Sequence, residues 1–412
     1  MKRYQKTKTS QYIVVGLIIV GTLAVAVVSS MVMRRISFED QFAMPWAAGR
    51  AWLLEGLDPY DPGVAQLAEN AILDSPYSAN QENEKLFLPF FNLVFYLPFS
   101  LIPYTLSRLI WVTLLSLCIL LIVHFGLTIS NWKLSQIEKL IAAFIILFWI
   151  PGITTVLVGS LSPIIILLLI VSIHLFLEGQ DTTAGFLLAS TVGSFNISGF
   201  IIILILFYGI SRRRWSIVSA FFSGFAFIVV ISLLLIPSWP RDWISIWVEN
   251  YSDLEIIRTP LMTLASYLPG VEGFLSIFFH ALFGIFYLLM LITLRGKSER
   301  VFIWNALGTM IISFLVNIRG SVSYILLILP AIFLVFRFLS ERWGLFGRIS
   351  SWIILAFFTI GSWILFLPVE DVITTIDIPL ITIGIPFLVF MGMNWIRWWA
   401  IKIPRLPFES FQ

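Results

Sequence analysis

Charge is scarce in this chain. Asp, Glu, Lys and Arg make up 12% of its 412 residues, about half the share of an ordinary soluble domain, and this excludes a water-soluble globular fold. Cysteine occurs once, at Cys118, so no disulfide can form within the chain; a lone thiol inside an apolar run reads as core. Three histidines occur, His124, His174 and His280, each in an apolar run and none paired at a ligand spacing. No metal site and no cofactor are expected from them. Basic residues form no stripe interleaved with aromatics, so no nucleic-acid partner is expected. The alternation of apolar and polar residues that marks a membrane β-barrel is missing as well.

What the chain has is long apolar runs. Hydrophobic residues reach 59%, mean hydropathy is +0.96, and stretches of about 20 apolar residues recur along the length. The fold class read from this is all-α, a polytopic integral membrane protein of about twelve transmembrane helices. The first run, Tyr12 to Met33, is longer than the ~7–15 residues of a signal-peptide core and reads as a retained first helix. The lipid bilayer is therefore the first expected partner.

Lys and Arg collect on the cytoplasmic side. The N-terminus, Arg212–Arg214, the turn with Arg295, Lys297 and Arg300, the stretch Arg337–Arg348 and the tail with Arg397, Lys402 and Arg405 are basic. Both termini are thus expected in the cytoplasm, with the protein in the plasma membrane. Residues 34–85 hold nine acids and four bases, and residues 237–273 five acids and two bases; both read as outer loops. One domain, 1–412, is expected, divided into the first outer loop 34–85, a core module 86–236, the second long outer loop 237–273 and C-terminal helices 274–412. Two threadings fit the middle. In one, 86–102 crosses and 182–210 is a single long helix. In the other, 86–102 is interfacial or re-entrant, marked by Pro89 and Pro98, and 182–194 and 197–210 are separate short spans. The second is preferred, because it puts Lys133 and Lys139 inside and Gly159, Ser160 and Asn196 outside.

Within the first outer loop, Phe42, Trp46, Gly49 and Leu53 fall on one helical face. A short interfacial helix of about 43–55 is expected there, starting after Asp40 and ended by Gly56, with Trp46 and Trp52 at headgroup level. Leu57 to Pro62 is turn chemistry. Asp40 is then either a helix N-cap or a carboxylate held where lipid meets water. Trp239, Trp243 and Trp247, four residues apart, form one aromatic face, either a membrane-interface anchor or a platform for a lipid tail or sugar.

The series Asp40, Ala47-Ala48, Leu53-Leu54, Gly56 and Asp58-Pro59-Tyr60 resembles the first-loop signature of glycosyltransferase family 87, of the GT-C superfamily. Leu88-Pro89-Phe90, Pro98, Pro103, Gly159 and Ala184-Gly185 resemble later marks of that family. Ser160 stands where the family usually has Gln, and Asn196-Ile197 where it usually has Lys-Pro. The resemblance implies a GT-C-like fold and a hexosyltransferase of the cell envelope. Such an enzyme moves a sugar, mannose by the family's default, from a polyprenyl-phosphate donor to an extracytoplasmic glycan or glycolipid acceptor. It implies Asp40 as general base, with Glu39 as second choice. Arg319 is the expected donor-phosphate ligand, since an arginine at membrane depth is a functional candidate, although it could also snorkel to the interface. Arg258 and Arg241 are further candidates, and Asn196 and Ser160 could bind sugar or phosphate or simply pair helices. Two other readings remain open at this point: a catalytically silent binder of lipid phosphate, and a lipid or solute transporter.

Overall fold

A computed structural model describes residues 40–73, 86–249, 259–317, 322–366 and 380–400. Among these the chain is helical and has no strand. The first apolar run, the tail beyond 400 and the acids at 370–377 lie outside the described residues.

Helix α1, Ala43–Arg50, begins where expected and runs on through a π-helical turn, Ala51–Glu55, to Gly56 at φ +68°. The wider turn rotates the end of the apolar stripe: Phe42 is fully buried, whereas Leu53 is 39% exposed. Helix α2 is Gly63–Leu73. Residues 86–102 do not cross. They form a 3-10 turn, Phe90–Phe95, and a four-residue helix α3, Leu97–Ser100, broken by the prolines that removed backbone donors.

Helix α4, Tyr104–Ser130, is a full span, closed by Asn131 in the left-handed region. Helix α5, Gln136–Phe148, opens with a reciprocal cap between Ser135 and Glu138. Pro151 breaks the way back, and α6, Ile150–Val158, continues at a bend of 58°. Gly159 at φ +74° ends it. Helices α7 (Ser162–Leu177), α8 (Asp181–Ala189), α9 (Phe195–Ser211) and α10 (Trp215–Leu235) follow. At nine residues α8 rises about 14 Å, so the turn at 190–194 stops short of a full crossing. Gly185 lets α8 lie on α10, since a Cβ there would sit 2.7 Å from the Ile217 carbonyl oxygen. Of the preferred threading, the non-crossing 86–102 segment and the break between 182–189 and 195–211 are present, while 182–194 is too short to be a span of its own.

Helices α11 (Trp239–Glu249) and α12 (Pro260–Ser266) are short; α13 (Glu272–Leu294) is a span and α14 (Glu299–Leu315) returns. Helix α15, Leu329–Phe366, folds back at Gly344, φ +54° and ψ −126°. Its halves touch, with the Ser351 hydroxyl donating to the Phe336 carbonyl at 3.4 Å. Helix α16 is Ile385–Ala400.

Six helices are long and apolar enough to cross a membrane among the described residues, or seven if α5 and α6 count as one broken span. The expected twelve are not reached among the described residues. The first run is not described, α7, α8 and α14 are short, and α15 joins two passes. The result is a multi-pass membrane protein.

Two aromatic expectations are corrected. Trp46 is 5% exposed, and its indole N–H donates to the carbonyls of Phe99 and Ile102 at 3.0 and 3.3 Å. It is a packing residue and not a headgroup anchor. The tryptophan face of α11 likewise turns inward. Trp239 meets Phe91 at 5.6 Å, Trp247 meets Phe87 at 5.8 Å, and the Trp243 N–H donates to the Phe87 carbonyl at 2.9 Å. This face seals α11 onto the 86–91 segment.

Candidate functional site

Pro103 sets the start of α4, and Tyr104 and Arg108 then fall one turn apart on the same face. Both reach Asp40. The Arg108 Nε lies 3.0 Å from Asp40 Oδ2, and the Tyr104 hydroxyl donates to the same oxygen. The Phe42 N–H donates to Oδ1 at 2.9 Å, and the Gln41 N–H ties the loop to the end of α6 through the Val158 carbonyl at 2.9 Å. Asp40 is 5% exposed and Arg108 1%. Such a pair offsets the cost of burying two charges only with good geometry and extra hydrogen bonds; Asp40 accepts two from Tyr104 and Phe42, and Arg108 gives one to the Leu157 carbonyl.

Gly159 completes the arrangement. Arg108 donates to the Leu157 carbonyl, its guanidinium lies over the Phe42 ring at 5.8 Å, and Trp111 donates to the Gly159 carbonyl at 2.9 Å. A Cβ at Gly159 would lie 2.3 Å from Arg108 Nη1. The glycine is needed twice, for its positive φ and for the space that the guanidinium fills.

Ser160 is next in the chain and 5% exposed. Its hydroxyl is 3.1 Å from that of Ser162 and accepts the Ser162 N–H at 3.3 Å, so it organises the start of α7. Asn196 is exposed on the first turn of α9, and Arg241 is exposed on α11; neither bonds to Asp40. Glu39, Arg258 and Arg319 lie outside the described residues. Asp40 and Ser160 are therefore brought to one place, on either side of Gly159. Among the described residues, no three His, Cys, Asp or Glu side chains gather as metal ligands.

Two buried amides escaped the sequence reading. Asn92, in the 3-10 turn, is fully buried with no hydrogen-bond partner for either amide atom. It presses on the backbone of Gly193, where a Cβ would lie 1.8 Å from its Oδ1. Asn317, just after α14, is 2% exposed and equally unpartnered. One turn before it, the Ser313 hydroxyl donates to the Ile197 carbonyl at 2.5 Å, so the end of α14 lies by the start of α9. Asn92, Asn196 and Asn317 thus belong to the end of the bundle that holds Asp40. An unpaired buried amide costs about 1–3 kcal/mol, which calls for a ligand or a water.

The family model for glycosyltransferase family 87 matches residues 87–317, more than half of the chain. The chain belongs to glycosyltransferase family 87. The matched part covers Asn92, Arg108, Gly159, Ala184-Gly185, Asn196 and Asn317, and begins after the first outer loop, so Asp40 lies outside it. A search of curated proteins found no match. Family membership makes this multi-pass protein a membrane glycosyltransferase. Sequence reasoning missed Arg108; its one signal is a base at the head of an apolar run, which reads equally as an interfacial anchor.

Proposed function

We propose that the protein transfers a hexose, mannose in the first instance, from a polyprenyl-phosphate donor to an extracytoplasmic glycan or glycolipid acceptor. It would do so in the plasma membrane with both termini inside. The observation that carries the reading is the Asp40 carboxylate held by Tyr104 and Arg108 at the end of the bundle where the amides also lie. The acceptor hydroxyl oxygen attacks the anomeric carbon as the bond to the donor phosphate oxygen breaks. The hydroxyl proton passes to Asp40, and the electron pair leaves with the phosphate. Arg108 and Tyr104 position the base. Asn92 and Asn317 supply amides for sugar hydroxyls, with Asn196 and Ser160 as neighbours. The leaving phosphate gains charge and needs cations aimed at it; Arg319 is the first choice, with Arg258 and Arg241 after it.

Purified protein in vesicles with labelled polyprenyl-phosphate mannose tests this. Asp40→Asn should lower transfer about 10²–10⁴-fold, the usual worth of a positioned base, with Glu39→Gln near wild type. One observation favours a second role for Asp40: both its oxygens are engaged by groups of the protein itself. If Asp40→Asn unfolds at lower temperature and Asp40→Glu restores folding with full transfer, the carboxylate is a clamp and another group is the base.

A further inference from the structure

The opposite end of the bundle holds a polar cavity that glycosyl transfer does not use. Helix α9 runs from Phe195, near the Asp40 end, to Ser211, a rise of about 25 Å over 17 residues. There a cavity of about 400 Å³ opens, lined by Tyr208, Ser211, Arg212, Arg213, Arg214 and Glu299. That volume lies within the range of small-ligand sites.

Its walls are fixed. Tyr208 stacks on Phe302 at 4.6 Å and donates to the Lys297 carbonyl at 3.0 Å. Arg214 is committed to Asp181, to the Phe176 carbonyl and to the face of the Phe176 ring. It closes the wall and has little charge to spare. Arg212 and Arg213 differ. Both are exposed, and neither meets an acid within salt-bridge distance among the described residues. Arg213 is held at φ +57°, a conformation that costs a non-glycine residue about 1–2 kcal/mol and is retained only where the surroundings enforce it. Arg295, Lys297 and Arg300 flank Glu299 in the adjoining turn and are exposed too. The N-terminus of α14, a 17-residue helix whose Ser298 makes no side-chain cap, adds its positive end. Next to the lining residues in the chain are exposed apolar side chains: Ile210 is 46% exposed and Trp215 60%.

We propose that this cavity binds a hydroxyl-bearing phosphate ester. The phosphate would sit on Arg212 and Arg213, and Glu299 would accept from the hydroxyl. The headgroup of an acidic phospholipid in the cytoplasmic leaflet has this chemistry, and so has a soluble glycerol phosphate. Basic pockets between membrane helices on that side characteristically hold such headgroups. The exposed Ile210 and Trp215, next in the chain to the lining residues, favour the lipid.

The test uses the full-length protein in phosphatidylcholine nanodiscs, with and without phosphatidylglycerol, and with sn-glycerol 3-phosphate as the soluble arm. Retained lipid is read by mass spectrometry and thermal unfolding in parallel. Arg212→Gln and Arg213→Asn, the latter chosen because asparagine tolerates positive φ, should each weaken phosphatidylglycerol binding about 10-fold or more, the worth of a charge-assisted hydrogen bond. Lys133→Gln removes one exposed charge at the same end, away from the cavity, and should leave binding unchanged. Saturable binding of glycerol phosphate with the same loss in the arginine variants would uphold the site with a soluble ligand. Equal losses in all three variants, or no saturable binding of either compound, would overturn it.

Discussion

Removing the charge of Arg108 tests the candidate site most directly. Arg108→Met keeps an unbranched apolar stem and deletes the guanidinium, and with it the ion pair with Asp40 and the contact over Phe42. The carboxylate is 5% exposed, so water cannot replace the guanidinium. Stranding one partner of such a pair costs about 3–5 kcal/mol, a third or more of the stability of a typical domain. Asp40→Asn in the same background removes the stranded charge. The asparagine oxygen can still accept the Phe42 N–H that Oδ1 accepts now, and its NH2, in the place of Oδ2, can donate to the Tyr104 hydroxyl once that hydroxyl turns. The double variant should therefore be more stable than Arg108→Met alone, with a coupling energy of about 1–3 kcal/mol. Equilibrium unfolding in mixed detergent micelles, followed by tryptophan fluorescence, gives all four stabilities. Purely additive effects, or a loss below about 1 kcal/mol for Arg108→Met, would mean that the pair does not hold the first loop to the bundle, and the positioning assigned to Arg108 would fail.

Gly159→Ala should loosen the same clamp without changing a charge, because the new methyl claims the space of Arg108 Nη1; a drop of about 1–3 kcal/mol is expected from overpacking, and a variant with wild-type unfolding and transfer would refute the packing argument. Gly185→Leu should separate α8 from α10, where a Cβ already lies 2.7 Å from Ala220 Cβ, and should shift the protein into aggregates on size-exclusion chromatography. Asn92→Ala removes the unpaired amide and leaves room beside Gly193, so stability should change by no more than about 1–3 kcal/mol while transfer falls; undiminished transfer would take Asn92 out of the sugar site.

The elements legible in the sequence were those that local chemistry writes. Gly56, Asn131 and Gly159 close helices with positive φ as such residues do, and the prolines of 86–102 announced a segment that could not cross. Partnership was not legible. Arg108 heads an apolar run, where an arginine reads as an interfacial anchor, and nothing local says that it turns inward to a carboxylate 68 positions earlier. Trp46 and the α11 tryptophans were misplaced for a related reason. An indole suits a membrane interface and a protein seam equally, and only the position of residues 86–102 decides between them. The basic stretch Arg337–Arg348 reads as a loop, yet helix continues on both sides of the single break at Gly344, because Arg348 finds Glu138 and Arg337 finds Glu341.

The two ends of the bundle differ in how their backbone is built, and this bears on where chemistry belongs. At the cavity end the helices stop in tight turns: 178–180 joins α7 to α8, 212–214 joins α9 to α10, and 295–298 joins α13 to α14. At the Asp40 end the chain gives up regular helix repeatedly, in the 3-10 turn Phe90–Phe95, at Gly159, at 192–194 and in the 3-10 segment Val322–Ile328. That last segment packs on α6 and α7, and most of its residues are buried. Irregular backbone at membrane depth is tolerated only where protein buries it or a cavity lies beside it. A bundle selected for stability alone would not gather four such breaks around one buried ion pair and two unpaired amides. Strain and unsatisfied polarity of this kind collect at functional sites, and here they collect at the end of the molecule that holds Asp40 and Arg108.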